Sequence, residues 1–295
     1  MVTKSIRNQT WFHEVKGRKD ILWLLVWIVG MTMLWLWDVV FLNEPALERI
    51  QTAFVNSFFT GSMVVVFSLI VGWSAGVGLY LLEHSKWRKL SGAGTLILNA
   101  LRSLPQIIVV LIGYVALTVL LHEEMIRSMF MQLLWISGVI SLAVFLEVAD
   151  TVRSRIEYFR TLDFVDAMLC CGIRESRIIN IEILWKNSRS HLLHKAIAVF
   201  GISIFLQSSI DFIISVGLST DVALSNLPLT LGSLLATLDS KQDILAISNL
   251  FGDLSYFPAL FVRHLQGLSV AFCIVFTLLC MYGIGNGFQR RHRLS

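Results

Sequence analysis

The residues of this chain that could do chemistry are few, and most of them sit in or beside long apolar runs. His191 and His194 lie three apart, a helical spacing that could ligate a metal. No cysteine or carboxylate cluster accompanies them, so they read as interfacial histidines. Ser208, Ser209 and Asp211 are the nearest candidates for the buried polar groups of an intramembrane protease or lipid transferase. They fall on a single helix with no evident base. Asp211 alone supports two readings, a group on a transport pathway or a carboxylate already at headgroup level. Arg102 and Ser103 precede Pro105 inside another apolar run, where an arginine should face protein or water or snorkel inward. Gly-x-x-x-x-Gly-Lys-Ser/Thr, His-Glu-x-x-His and Gly-x-Ser-x-Gly are all missing, so the chain cannot by itself cradle a nucleotide in the P-loop manner. The expectation is a chain that is not an enzyme and carries no metal.

What positions these residues is an apolar framework. Of 295 residues, 56% are hydrophobic and 15% charged, with a mean hydropathy of +0.72. A soluble domain would carry about a quarter charged residues. A span needs about 20 apolar residues, and six stretches qualify: Ile21–Phe41, Phe58–Leu82, Thr95–Leu121, Ser128–Val148, Leu192–Leu218 and Gln266–Phe288. No alternating strand pattern competes, so the predicted class is an all-α polytopic membrane protein. The polar start and the long first apolar run read as a retained span rather than a signal peptide. Cys170, Cys171, Cys273 and Cys280 do not form a secreted disulfide framework.

Lys and Arg set the orientation. With the N-terminus inside, the cytoplasmic side receives Lys4, Arg7, Lys16, Arg18, Lys19, Lys86, Arg88 and Lys89. It also receives the long-loop residues Arg153 to Lys195 and the tail residues Arg290, Arg291 and Arg293. The outside keeps only Arg49, Arg127, Lys241 and Arg263. This positive-inside bias places both termini in the cytoplasm, and the net charge of +4 follows topology rather than nucleic-acid affinity. On the outer face, Ser219–Leu265 is broken by Pro228, Gly232, Asp239, Gly252 and Pro258, which predicts short or re-entrant helices. Gly72 and Gly76 form a GxxxG spacing suited to close helix approach. Pro105 should kink the third span.

One cytoplasmic stretch departs from the rest: Asp163–Asn187, DFVDAMLCCGIRESRIINIEILWKN. Phe164, Val165, Met168 and Leu169 recur at helical spacing, with Asp163 expected as N-cap and Asp166 in the first turn. Gly172 should end that helix. A second helix resumes with Ile178, Ile179, Ile181, Ile183 and Leu184. The pattern fits a docking element, or an amphipathic helix on the inner leaflet helped by Arg153, Arg155 and Arg160.

This stretch resembles the cytoplasmic signature of binding-protein-dependent ABC importer permeases, which reads Glu-Ala-Ala, three residues, Gly, nine residues, Ile-x-Leu-Pro. Asp166-Ala167-Met168 takes the triplet, Gly172 the glycine, and Glu182-Ile183-Leu184-Trp185 the closing motif. Arg177-Ile178-Ile179 matches the C-type subunit of dipeptide, oligopeptide and nickel transporters. Leu101-Arg102-Ser103-Leu104-Pro105, Leu231-Gly232-Ser233-Leu234-Leu235-Ala236 and Gly285-Asn286-Gly287-Phe288 with Arg290 resemble further family segments, in family order. Trp185 stands in place of the motif's proline, Met168 of its second alanine, and Arg174 of a capping serine. Glu182 stands where the general signature has isoleucine. The family's long first outer loop is replaced by Leu42–Ser57.

The resemblance implies a type I ABC importer permease fold. Residues 1–57 would form the tail, first helix and short outer connection. Residues 58–295 would form the core, with a coupling loop at 150–190 and an outer segment at 219–265. It implies a second homologous permease subunit, two ATPase subunits that carry ATP and Mg, an outer solute-binding protein, and the bacterial inner membrane. The coupling loop would use Asp163 to Leu169, Gly172, Arg177, Ile183, Leu184 and Trp185. Arg102, Ser103, Pro105, Ser208 and Asp211 are its pathway candidates. Short peptides lead as cargo, with nickel chelates, opines and phosphonates as alternatives. Competing classes are a self-contained channel or ion-coupled carrier, and a non-transporting scaffold.

Overall fold

A computed structural model describes residues 19–83, 88–217, 227–237, 248–249, 251–258 and 265–293. All regular structure among them is helical: α1 Lys19–Phe41, α2 Glu44–Glu83, α3 Arg88–Ser103, α4 Gln106–His122, α5 Met129–Arg160, α6 Asp163–Cys170, α7 Glu175–Arg177, a π-helix Ile178–Asn187, α8 Arg189–Gly217, α9 Leu231–Thr237, a 3₁₀ turn Leu254–Tyr256, and α10 Leu265–Arg293. Five helices (α1, α2, α5, α8 and α10) are long and apolar enough to cross a bilayer, and the bent pair α3–α4 makes a sixth crossing if counted as one. The protein is a multi-pass helical membrane protein. Large apolar side chains such as Val40, Ile70, Ile112 and Val275 lie open on the bundle surface, as they do where lipid rather than water is the solvent.

Two spans differ from the sequence reading. The stretch Leu42–Ser57 is not a loop: helix resumes at Glu44, and α2 runs 40 residues to Glu83, about 60 Å at about 1.5 Å per residue. Its first turns carry too few apolar residues to read as a span, yet Ile50 and Ala53 pack in the core. The third span, Thr95–Leu121, is broken by 89° between α3 and α4. Pro105 sets the start of α4 and supplies no N–H to continue the α3 ladder. Only α4 then runs across the bundle. α3 turns aside with Leu96, Ile97 and Leu101 exposed along it.

Small residues bring the helices together. A Cβ at Gly72 would lie 2.6 Å from Val148 Cβ, and one at Gly76 would lie 2.9 Å from the Ala149 carbonyl. The GxxxG of α2 is thus the seat of α5. Gly285 lies against His194, whose Nδ1 is 3.0 Å from the Gly285 carbonyl oxygen, and Gly287 lies against the backbone of Asp20. Lys19 and Arg293, the ends of the described chain, therefore share one end of the bundle with the loop α6–α7. The opposite end holds α9 and the start of α10. The basic residues Lys4, Arg7, Lys16, Arg18, Lys86, Lys241 and Arg263 lie outside the described residues.

Candidate functional site

The loop at one end of the bundle is built on the extension of α5. α6 begins at Asp163 itself; its N-cap is Leu162, so Asp163 is not the capping residue expected of it. The helix closes in a Schellman motif: the Ile173 N–H donates to the Met168 carbonyl at 3.2 Å and the Gly172 N–H to the Leu169 carbonyl at 2.9 Å. Gly172 has φ +77°, the only glycine with positive φ among the described residues. That conformation is why this position suits glycine. Ile173 and Met168, the two ends of the motif, both pack on the core.

The second half of the loop is wound as a π-helix rather than an α-helix. Its buried residues come in pairs five apart, Ile178 with Ile183 and Ile179 with Leu184. An i→i+5 ladder places such pairs on one face, whereas an α-helix would spread them. Tertiary packing of that face explains the winding. The helix continues past Leu184 to Asn187, and Trp185, where the resembled motif has proline, is 69% exposed. A tryptophan retains the N–H that proline would remove from the ladder.

Side chains knit the loop to the bundle. Trp73 Nε1 on α2 donates to Asn180 Oδ1 at 2.8 Å. The Arg155 guanidinium lies over the rings of Tyr158 and Phe159, at 5.1 and 4.9 Å, and its Nε donates to Ser188 Oγ at 3.3 Å. Phe159 meets Phe164 edge-on at 6.0 Å. Arg153 pairs with Glu83 at 3.0 Å, and Arg160 reaches Glu175 at 3.6 Å. The ring contact fastens α6 to α5, and the Trp73–Asn180 bond fastens the π-helix to α2.

Which face of α6 is open differs from the sequence expectation. Phe164, Val165, Met168 and Leu169 do not project toward a partner: Val165 is buried and the other three pack against the chain's own core. Short helices of this kind are held by such packing rather than by propensity. Asp163, Asp166, Ala167 and Cys170 form the open face, and Arg177 and Trp185 are open on the second half. Ile183 and Leu184 are buried.

A second polar node lies toward the opposite end. Asp211 on α8 is buried, accepting from Tyr114 Oη at 3.1 Å and from the Thr230 hydroxyl. Thr230 also caps α9. Its Oγ1 accepts from the Ser233 N–H at 3.1 Å, while the Thr230 N–H donates to Ser233 Oγ at 2.9 Å, a reciprocal capping box. Ser57 Oγ accepts from the Leu231 N–H at 3.0 Å, and Asn56 Nδ2 donates to the Leu229 carbonyl at 2.8 Å. Gly232 lets this turn sit on α8, since a Cβ there would lie 2.5 Å from Ser208 Cα. A small cavity of about 60 Å³ beside Asp211 is lined by Tyr114, Ile136, Ile214, Leu227–Leu229 and Ser233. Asp211 is only 6% exposed within this chain, held by Tyr114 and Thr230. Through Thr230 it clamps the turn before α9 to the bundle.

The pathway candidates do not meet. Arg102, at the α3–α4 break, donates to Asp150 on α5 and to Asn99 Oδ1 at 3.0 Å, and Ser103 donates to the Ala100 carbonyl at 2.7 Å. Pro105 is exposed beside them, whereas Ser208 and Asp211 are on α8, where Asp211 meets Tyr114 of α4. The Arg102–Asp150 pair is roughly half exposed on the side of the bundle. Deeper in, Glu147 receives Lys195 at 2.7 Å and Gln106 at 3.4 Å. Ser209 Oγ donates to the Phe205 carbonyl at 2.8 Å, an ordinary i−4 bond with no base nearby. His194 contacts the Gly285 backbone, and no group of three metal-ligating side chains occurs among the described residues. Sequence reasoning missed Tyr114, Thr230 and Asn180. Each is an ordinary helix or loop residue until its long-range partner is known. Neither a protein-family model nor a curated protein sequence matches this chain.

Proposed function

We propose that this chain is one permease subunit of an ATP-driven importer in a bacterial-type inner membrane, with the type I importer permease fold. In this reading the α6–α7 end faces the cytoplasm, as its Lys and Arg content favours, and both termini lie there. Two ATPase subunits, which carry the ATP and Mg, grip the loop. An outer solute-binding protein rests on Ser219–Leu265. A second, homologous permease completes the pathway, and short peptides are the leading cargo.

The observation that carries the reading is the α6–Gly172–π-helix joint. It presents Asp163, Asp166, Ala167 and Cys170 outward while its apolar face is fastened to α5 and α2. A partner pressing on that face moves membrane helices, which is what a subunit lacking its own nucleotide site requires. A self-contained carrier gains less, because Asp211 is covered and Glu147 is already paired.

Ala167→Arg tests the reading. Ala167 is exposed, so the fold should persist while the docking face is blocked. The expected result is loss of a copurifying ATPase and of solute-stimulated ATP hydrolysis. Purification of the wild-type chain in active form with no nucleotide-binding partner would overturn the assignment.

A further inference from the structure

We propose that the groove beside Asp38 is a lipid site selective for a primary-amine headgroup, that of phosphatidylethanolamine. α1 is the least embedded of the long helices, and Asp38 is its single buried residue, at 2% exposure. One carboxylate oxygen accepts from Ser269 Oγ on α10 at 2.5 Å. No basic side chain among the described residues pairs with Asp38. A cleft of about 270 Å³ opens beside it between α1, α2 and α10, lined by Leu34, Trp35, Asp38, Gln51, Phe54 and Cys273. Arg49, the nearest base in sequence on α2, does not line it.

Depth identifies the occupant. Asp38 lies three residues before the end of α1, on the end away from the α6 loop. From Ile21 to Asp38 the helix rises about 25 Å, so the carboxylate sits near the edge of a hydrocarbon core about 30 Å thick. Trp35 and Trp37 flank it, as aromatic residues do at interfaces. A lipid-facing cleft at this depth is filled by lipid, so the open matter is headgroup preference. A carboxylate whose one partner among the described residues is a hydroxyl, set in an apolar wall, favours a positive group beside it. A primary ammonium can donate to the free carboxylate oxygen and to the Gln51 side-chain carbonyl, whereas a choline headgroup has no N–H to donate. An anionic headgroup is repelled. The inference depends on the membrane placement of α1 and not on the importer reading.

The test is native mass spectrometry of the full chain released from bilayers of equal phosphatidylethanolamine, phosphatidylcholine and phosphatidylglycerol. The wild type should retain the ethanolamine lipid over the other two about tenfold, the scale of one charge-assisted hydrogen bond. Asp38→Asn keeps an acceptor for Ser269 and removes the charge, and should bring the three lipids near parity. Leu47→Trp fills the cleft from α2 and should lower the number of retained ethanolamine lipids with Asp38 intact. Equal retention by the wild type, an annular lipid with no headgroup preference, would overturn the proposal. So would an ethanolamine preference unchanged in both variants.

Discussion

Replacing Gly172 by alanine separates backbone conformation from packing at the loop elbow. Gly172 holds φ +77°, and a Cβ built there meets nothing within 4 Å. The whole cost of the substitution is therefore the left-handed backbone, about 1–2 kcal/mol for an L-residue. Because α6 is short, that strain should be relieved by opening the loop rather than by unfolding the bundle. A change of one to two kcal/mol raises the open population about 5–30-fold. Arg174 and Arg177 are exposed just past the elbow, so trypsin cleavage there in reconstituted protein reads that population directly. Gly172→Asn should cost less than alanine, since asparagine tolerates this region better. Gly138, which also has open space but no positive φ, should accept alanine without penalty. The α4 C-terminus offers the opposite sign. There Glu124 holds φ 53° in the same Schellman geometry, with Glu124 N–H to the Leu121 carbonyl at 3.1 Å and Met125 N–H to the Leu120 carbonyl at 3.0 Å. Glu124→Gly should stabilise by about 1 kcal/mol. Equal cleavage of wild type and Gly172→Ala, or an asparagine variant worse than alanine, would refute the reasoning.

Three further outcomes follow from particular contacts. Gly72→Ala should lower thermal stability by about 1–3 kcal/mol, because the new methyl meets the Phe145 carbonyl at 2.8 Å, whereas Gly78→Ala meets nothing and should be near neutral in the same melt. Thr230→Val removes both the cap of α9 and a donor to buried Asp211; we expect a loss of about 1–3 kcal/mol and faster hydrogen exchange at Leu231–Thr237, with Thr230→Ser retaining most of the protection. Trp185→Ala should change stability by less than about 0.5 kcal/mol because the side chain is exposed, whereas Trp185→Pro should unwind the last π turn, seen as faster exchange of Lys186 and Asn187 amides.

The one-dimensional pattern was enough for the membrane class, the break before Pro105 and the elbow at Gly172. Each rests on local physics: run length against bilayer thickness, a missing N–H, and a residue without Cβ. Other features required the partner helices. The start of α2 at Glu44 is not marked by hydropathy, because its first turns are held by packing of Ile50 and Ala53. Apolar spacing in α6 announced an interface but not whose. Only the packing on α5 turned Val165 inward and left Ala167 outside. The pairs Ile178–Ile183 and Ile179–Leu184 are visible as letters, yet the choice of π over α winding was made by the core they enter. Asp38 and Asp211 are both lone carboxylates in apolar runs, and their difference is wholly tertiary. Asp211 is held by Tyr114 and Thr230, brought from distant segments, while Asp38 lines an open cleft between α1, α2 and α10. Periodicity fixes which face of a helix is apolar, and only the fold decides what that face, and the polar atoms beside it, will meet.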